Sequence, residues 1–221
     1  MRFTLRVDLD YVPWDSPDAT EFGHGEPAMI LRLLDLAEQV GGRWHFFASN
    51  RVLRAFSDSI GGLSAQGHAL DWYCKHPEQW STRAGDAVVL FQEIGIMPVG
   101  LATKSAWPSD LTDIEPRHTF QYLSAPPGPA PFKVFPVTAP SDRDAYRSGH
   151  SAVLWSSELK SLLRSAAARG QDTVFSVRPQ VLAKFDPHLD EVRALTLLAK
   201  GLDFHIDCLP WRTDEKPLTD H

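Results

Sequence analysis

Apolar and polar residues alternate from the start of the chain, with Phe3, Leu5, Val7 and Leu9 set against Thr4, Arg6, Asp8 and Asp10. A period of two predicts a strand with two unlike faces. Residues two apart share a face, so Asp8 and Asp10 are expected to point the same way at the strand's end. Two carboxylates so placed repel each other unless a metal or a shared proton compensates them. An isolated pair of this kind is more often a solvated strand end, so the rest of the chain decides its meaning.

The period then changes repeatedly. Residues 12–25 hold Pro, Asp and Gly without periodicity and read as a loop at the C-terminal end of the first strand, where α/β folds place their chemistry. A helix opens near Glu26-Pro27, carries Met29, Leu33, Leu36 and Val40 at helical spacing, and stops at Gly41-Gly42. Residues 44–48 read as an aromatic strand, 51–56 as a short helix, 61–67 as a turn-rich approach and 68–72 as a third strand. A helix follows over 77–94, and 95–101 turns into a fourth strand. Strands over 119–123 and 132–137 are separated by the proline-rich run 125–131. A helix over 156–169, with Ser157 as N-cap and Gly170 as its stop, leads to a strand over 172–177. A helix over 188–200 and a last strand over 202–208 complete the pattern.

Strand alternating with helix predicts a mainly parallel sheet. About seven strands in this length suit a distorted (β/α) barrel. No composition shift or internal repeat divides the chain, so a single domain over 1–221 is expected, with a mobile polar tail from about 212.

Composition narrows the function classes. Of 221 residues, 43% are hydrophobic and 23% charged, ordinary values for a globular domain with a proper core. A net charge of −6 with no Lys/Arg run gives no footprint for nucleic acid. No apolar stretch reaches membrane-spanning length. The start lacks a basic segment followed by an apolar one, so a cytoplasmic protein is expected. Cys74 and Cys208 form no C-x-x-C pair and read as reduced thiols.

Three stretches together resemble the polysaccharide deacetylase family, also called the chitooligosaccharide-deacetylase homology domain. The first strand with Asp8 and Asp10 is similar to the family's F-D-D-G motif, and more so to the V-D-V-D form of sugar-lipid deformylases. GRWHFFASN over 42–50 is similar to its second strand. GHALDWYCKHP over 67–77 looks like its G-H-E-I-x-N-H-T-x-x-H-P motif. Weaker echoes are GIMPVG over 95–100 and VFSVRP over 174–179, the latter where the family has a late L-H-P strand end.

The resemblance implies hydrolysis of the amide of an N-acylated sugar, assisted by a divalent metal such as zinc that polarises the acyl oxygen and activates water. It implies that Asp8 is the general base, Asp10 the metal carboxylate and His76 a metal histidine. The departures are chemical. The family's other metal histidine falls on Trp72 or on Tyr73, depending on which end of the motif sets the register. The arginine that braces the base is missing near Ala102, with Lys104 the nearest cation. Ala125 replaces an acidic residue. Arg178 replaces the acid histidine, and an arginine that stays protonated cannot serve as a general acid, though it can bind a carboxylate, a phosphate or an oxyanion.

Two functions are therefore carried forward. One is a metal-dependent hydrolase acting on an acylated sugar or related small molecule, using Asp10 and His76, with His24 or His68 as substitutes. The other is a diverged, non-catalytic member that binds a carbohydrate or an anionic ligand in the same cleft. A metal-free enzyme of other chemistry is a weaker third. Two surviving ligands predict weak metal binding or none, because a stable site needs about three. Arg178 is then expected to pair with Asp8 or Asp10 in the metal's stead. His24, His68, Trp72, Tyr73 and Lys104 are the candidate ligand contacts, against the plainer reading of solvated histidines and core aromatics.

Overall fold

Alternation along the first strand becomes the two faces of a curled, all-parallel sheet. The computed structural model describes residues 1–10, 26–111 and 120–210. Its strands are β1 (Arg2–Leu9), β2 (His45–Ala48), β3 (Ala69–Tyr73), β4 (Gly100–Ala102), β5 (Tyr122–Ala125), β6 (Lys133–Pro136), β7 (Thr173–Val177) and β8 (His205–Ile206). The order is β6-β5-β4-β3-β2-β1-β7, with the two-residue β8 on the start of β1. Val137, just past β6, bridges Val174 on β7, and the Thr138 N–H donates to the Val174 carbonyl at 2.8 Å. This contact joins the two ends of the seven-strand path, giving the expected distorted barrel, with β8 added on β1.

Helices cover the outside: α1 (Glu26–Val40), α2 (Asn50–Ala65), α3 (Trp80–Glu93), α4 (Asp142–Arg147), α5 (Ala152–Ala168), α6 (Pro179–Phe185) and α7 (Asp190–Gly201). Phe3, Leu5, Val7 and Leu9 face them and join one core with Met29, Leu33 and Leu36 of α1. Gly41 ends α1 at φ +60, a conformation that suits glycine. The described residues include no helix long and apolar enough to cross a membrane.

Three expectations on the helices are corrected. The helix expected to end at Phe56 bends there (φ −141, ψ 34) and continues to Ala65. Burial of Ile60 and Leu63 outweighs the low propensity of Gly61 and Gly62. The helix before β7 begins at Ala152, not after Ser157, because the Ser151 hydroxyl caps it by accepting the Leu154 N–H at 3.2 Å. The short α4 and α6 were not expected, since six or seven residues carry little periodicity.

The inward face of the barrel is more polar than a packed core usually is. Asp71 Oδ1 accepts the Val99 and Gly100 N–H groups at 2.8 and 2.9 Å. Its Oδ2 accepts His45 Nε2–H at 2.9 Å and the Tyr122 hydroxyl. His45 Nδ1 accepts the Leu209 N–H at 3.0 Å, which leaves the proton on Nε2. The Tyr122 ring lies over Gly100, where an added Cβ would stand 2.0 Å from the ring. Gly100→Ala must therefore push Tyr122 off Asp71. The combined overpacking and lost buried hydrogen bond should cost about 3 kcal/mol, read by urea denaturation.

Candidate functional site

Asp8 is the next-to-last residue of β1, Tyr73 ends β3, and Arg178 follows β7. Parallel strands bring these C-terminal ends to one mouth of the barrel. Arg6, two residues before Asp8, points the same way. Its Nε donates to Asp8 Oδ1 at 2.6 Å and its Nη2 to Oδ2 at 3.0 Å. Nη1 donates to the Ser124 carbonyl at 2.6 Å, and Nη2 also to the Thr103 carbonyl at 2.9 Å. Arg6 and Asp8 are both essentially inaccessible, at 1% and 0% exposure. Such a bidentate pair is among the stronger charge-assisted contacts, and it is placed where neither partner can return to water.

Arg178 adds a second cation. Its Nη2 lies 3.3 Å from Asp8 Oδ2 and donates to the Tyr73 hydroxyl at 3.2 Å. Burial works against this charge, yet Tyr73, Asp8 and Asp142 hold the guanidinium above the usual arginine value. Asp142, at the start of α4 and fully buried, accepts the Arg178 N–H on Oδ2 and the Arg143 N–H on Oδ1, each at 2.7 Å. Burial pushes Asp142 up to about 7, although Arg178 and the two amides favour its charge.

A folded-state value above the unfolded one means that Asp142 contributes stability below about pH 4, lost as pH rises through about 7. Denaturation of wild type and Asp142→Asn across this window should show the wild type losing on the order of 3 kcal/mol more than the variant between pH 4 and 8. Parallel curves would contradict the assignment.

The remaining candidate residues are less concentrated. Asp10 pairs with Lys75 at 3.1 Å at the rim. Burial raises its pKa and Lys75 draws it back down. His76 is exposed, with Nδ1 3.1 Å from Glu78. Both line a cavity of about 220 Å³ with Asn50, Arg51, Tyr73 and Arg83. Trp72 borders it at only 1% exposure, its indole N–H bound to Asn50 at 2.6 Å and its ring packed against Trp80 and Phe120. Lys104 is exposed beside a smaller cavity of about 90 Å³ that Arg6, Asp8 and Arg178 also line. His68 is elsewhere: it precedes β3, at the N-terminal end of the strand, accepts the Trp44 N–H at 3.1 Å and packs on Phe46. It is thus separated from the mouth and does not join Asp8 and Arg178 there. His24 lies outside the described residues.

Among the described residues the donor set does not fit a metal of the kind the resemblance implies. Among the described residues no three of His, Cys, Asp and Glu gather as ligands. Asp8 has both oxygens taken by guanidinium groups, and Asp10 is tied to an ammonium. The decisive residue missed in the sequence is Arg6. The alternation that sets Asp8 and Asp10 on one face also sets Arg6 there.

No protein-family model matches the chain, and no curated protein sequence matches it. Solved structures do. The Puue allantoinase superposes with a TM-score of 0.69 at 14% identity, covering 93% of this chain and 85% of its own. A structure described as a putative polysaccharide deacetylase from Mycobacterium smegmatis gives 0.67 at 13% identity, with coverages of 93% and 85%. A mutant of a pseudoenzyme of carbohydrate esterase family 4 gives 0.54 at 7% identity, covering 93% of this chain and 64% of its own. At such identities the likeness is one of fold. The chain has the polysaccharide deacetylase fold.

Proposed function

We propose that this protein uses the mouth of a deacetylase-type barrel to bind an anionic, carbohydrate-like ligand, without metal-dependent deacylation. The observation that carries the reading is the bidentate Arg6–Asp8 pair, closed further by Arg178. A general base needs a free lone pair aimed at water. Asp8 is buried, with both oxygens engaged. A general acid needs a proton it can release near neutral pH, and Arg178 holds its own. The compensation that a metal gives two carboxylates is supplied here by Arg6 and Arg178 on Asp8 and by Lys75 on Asp10. The larger cavity at the mouth is lined by more cationic side chains than acidic ones, Arg51, Lys75 and Arg83 against Asp10, which suits an anion.

A second reading, an acyl-sugar hydrolase, is favoured by one fact: Asp10 and His76 line the same cavity. Thermal melting separates the two. Anionic sugars should raise the melting temperature while zinc chloride leaves it unchanged, and N-acetylated chitooligosaccharide should release no acetate when zinc is added. Stabilisation by zinc together with acetate release would establish the hydrolase instead.

A further inference from the structure

The cavity of about 220 Å³ at the mouth carries a charge that one class of ligand matches. Among the described residues, Arg51, Lys75 and Arg83 bring three positive charges to its lining and Asp10 one negative charge, an excess of two. Tyr73 and Cys74 do not reduce it: burial raises both, the thiol to about 12, so both stay neutral. Lys75 is already paired with Asp10 at 3.1 Å, which leaves the two arginines as the excess. An arginine presents a planar fork of donors that fits the oxygens of a phosphate. Arg83 Nε donates to Gln79 Oε1 at 2.6 Å, while its two Nη groups make no hydrogen bond among the described residues. We propose that this cavity binds a sugar monophosphate, its dianionic phosphate held by Arg51 and Arg83 and its sugar lying against Tyr73 on the side of Asp10.

The elements around the cavity fit this orientation. Ser49, Asn50 and Arg51 are the N-cap and first two residues of α2, and all three line it. Asn50 Nδ2 donates to the Arg83 carbonyl at 3.4 Å, so the start of α2 stands beside the first turn of α3 and the two arginines share one side of the cavity. The helix dipole of α2 adds a partial positive charge on that side. Asp10 belongs to the other side: besides Lys75, the charges that act on it are Arg178 and Asp8, towards the barrel axis. A carboxylate there repels a phosphate and accepts sugar hydroxyls. The volume is that of about seven waters in the liquid, room for one phosphorylated sugar and not for a chain of sugars. A phosphate monoester loses its second proton near pH ~6 and is largely a dianion at neutral pH, which balances the excess of two. A sugar carboxylate, a monoanion, would leave one positive charge unmatched. The inference rests on the proposed anion-binding function and adds the class of anion.

Titration calorimetry of the full chain with glucose 6-phosphate, glucuronate and glucose tests it. Glucose 6-phosphate should bind, with glucuronate and glucose at least tenfold weaker. Arg51→Gln and Arg83→Gln should each weaken glucose 6-phosphate about tenfold, with melting curves confirming that both variants are folded. Equal or tighter binding of glucuronate would overturn the phosphate class and leave anion binding standing. Glucose 6-phosphate binding unchanged by both substitutions would place the ligand elsewhere and overturn the site. Binding of neither anion would overturn the anion-binding function and the sugar phosphate with it.

Discussion

Arg6→Met should destabilise the fold by about 3–5 kcal/mol, the range found when one partner of a buried ion pair is removed. The reason is what stays behind. Asp8 would keep a single cation, Arg178, at 3.3 Å, and the Ser124 and Thr103 carbonyls would lose their donor inside the barrel. Methionine fills much of the arginine stem's volume, so the loss reports charge and hydrogen bonding more than a cavity. The double variant Arg6→Met/Asp8→Leu should recover a large part of the loss, because removing both charges removes the uncompensated one. Urea denaturation of wild type, both single variants and the double variant gives the coupling directly. If the two single losses simply add in the double variant, Arg6 and Asp8 are not the coupled pair described.

Asp71→Ala should cost about 4 kcal/mol or more. Four donors converge on that carboxylate: two backbone amides, His45 Nε2–H and the Tyr122 hydroxyl. Each buried donor left unmade costs about 1–3 kcal/mol. Asp71→Asn should cost less than the alanine change and still be destabilising. An asparagine oxygen can keep the Val99 and Gly100 amides, but its NH₂ then faces His45 Nε2–H. The imidazole cannot turn its acceptor to meet it, because Nδ1 already holds the Leu209 N–H. The test is the order of stabilities in urea: wild type, then asparagine, then alanine. An alanine variant as stable as wild type would show that the network does not hold the barrel interior together.

Much of this architecture is legible in the sequence, and the limits have physical causes. The period-two run in β1 and the alternation of strand with helix give the barrel, because burial on one face leaves a pattern in the residues themselves. Arg6 was equally legible by that pattern, yet its partners Ser124 and Thr103 lie about a hundred residues away, and no local signal joins them to it. The same holds for Asp71, which reads as one more polar residue of β3 until His45 and Tyr122 are brought beside it. Arg178 was placed through the family resemblance and stands next to Asp8, as one of the two pairings expected for it. Asp10, the other, takes Lys75 instead. Asp142 was missed because it sits on a six-residue helix, too short to show a period. Trp72 reads in the sequence as a candidate sugar platform against the plainer reading of a core aromatic, and its side chain is buried against Trp80 and Phe120 while bordering the larger cavity.

The most direct test of whether arginine has taken the metal's place at the mouth is the metal content of the protein purified without chelator, measured by mass spectrometry of the elements. A mouth compensated by Arg6, Arg178 and Lys75 predicts well below one divalent ion per chain, unchanged in Asp10→Ala and His76→Ala. One tightly held zinc per chain, lost in either variant, would contradict it.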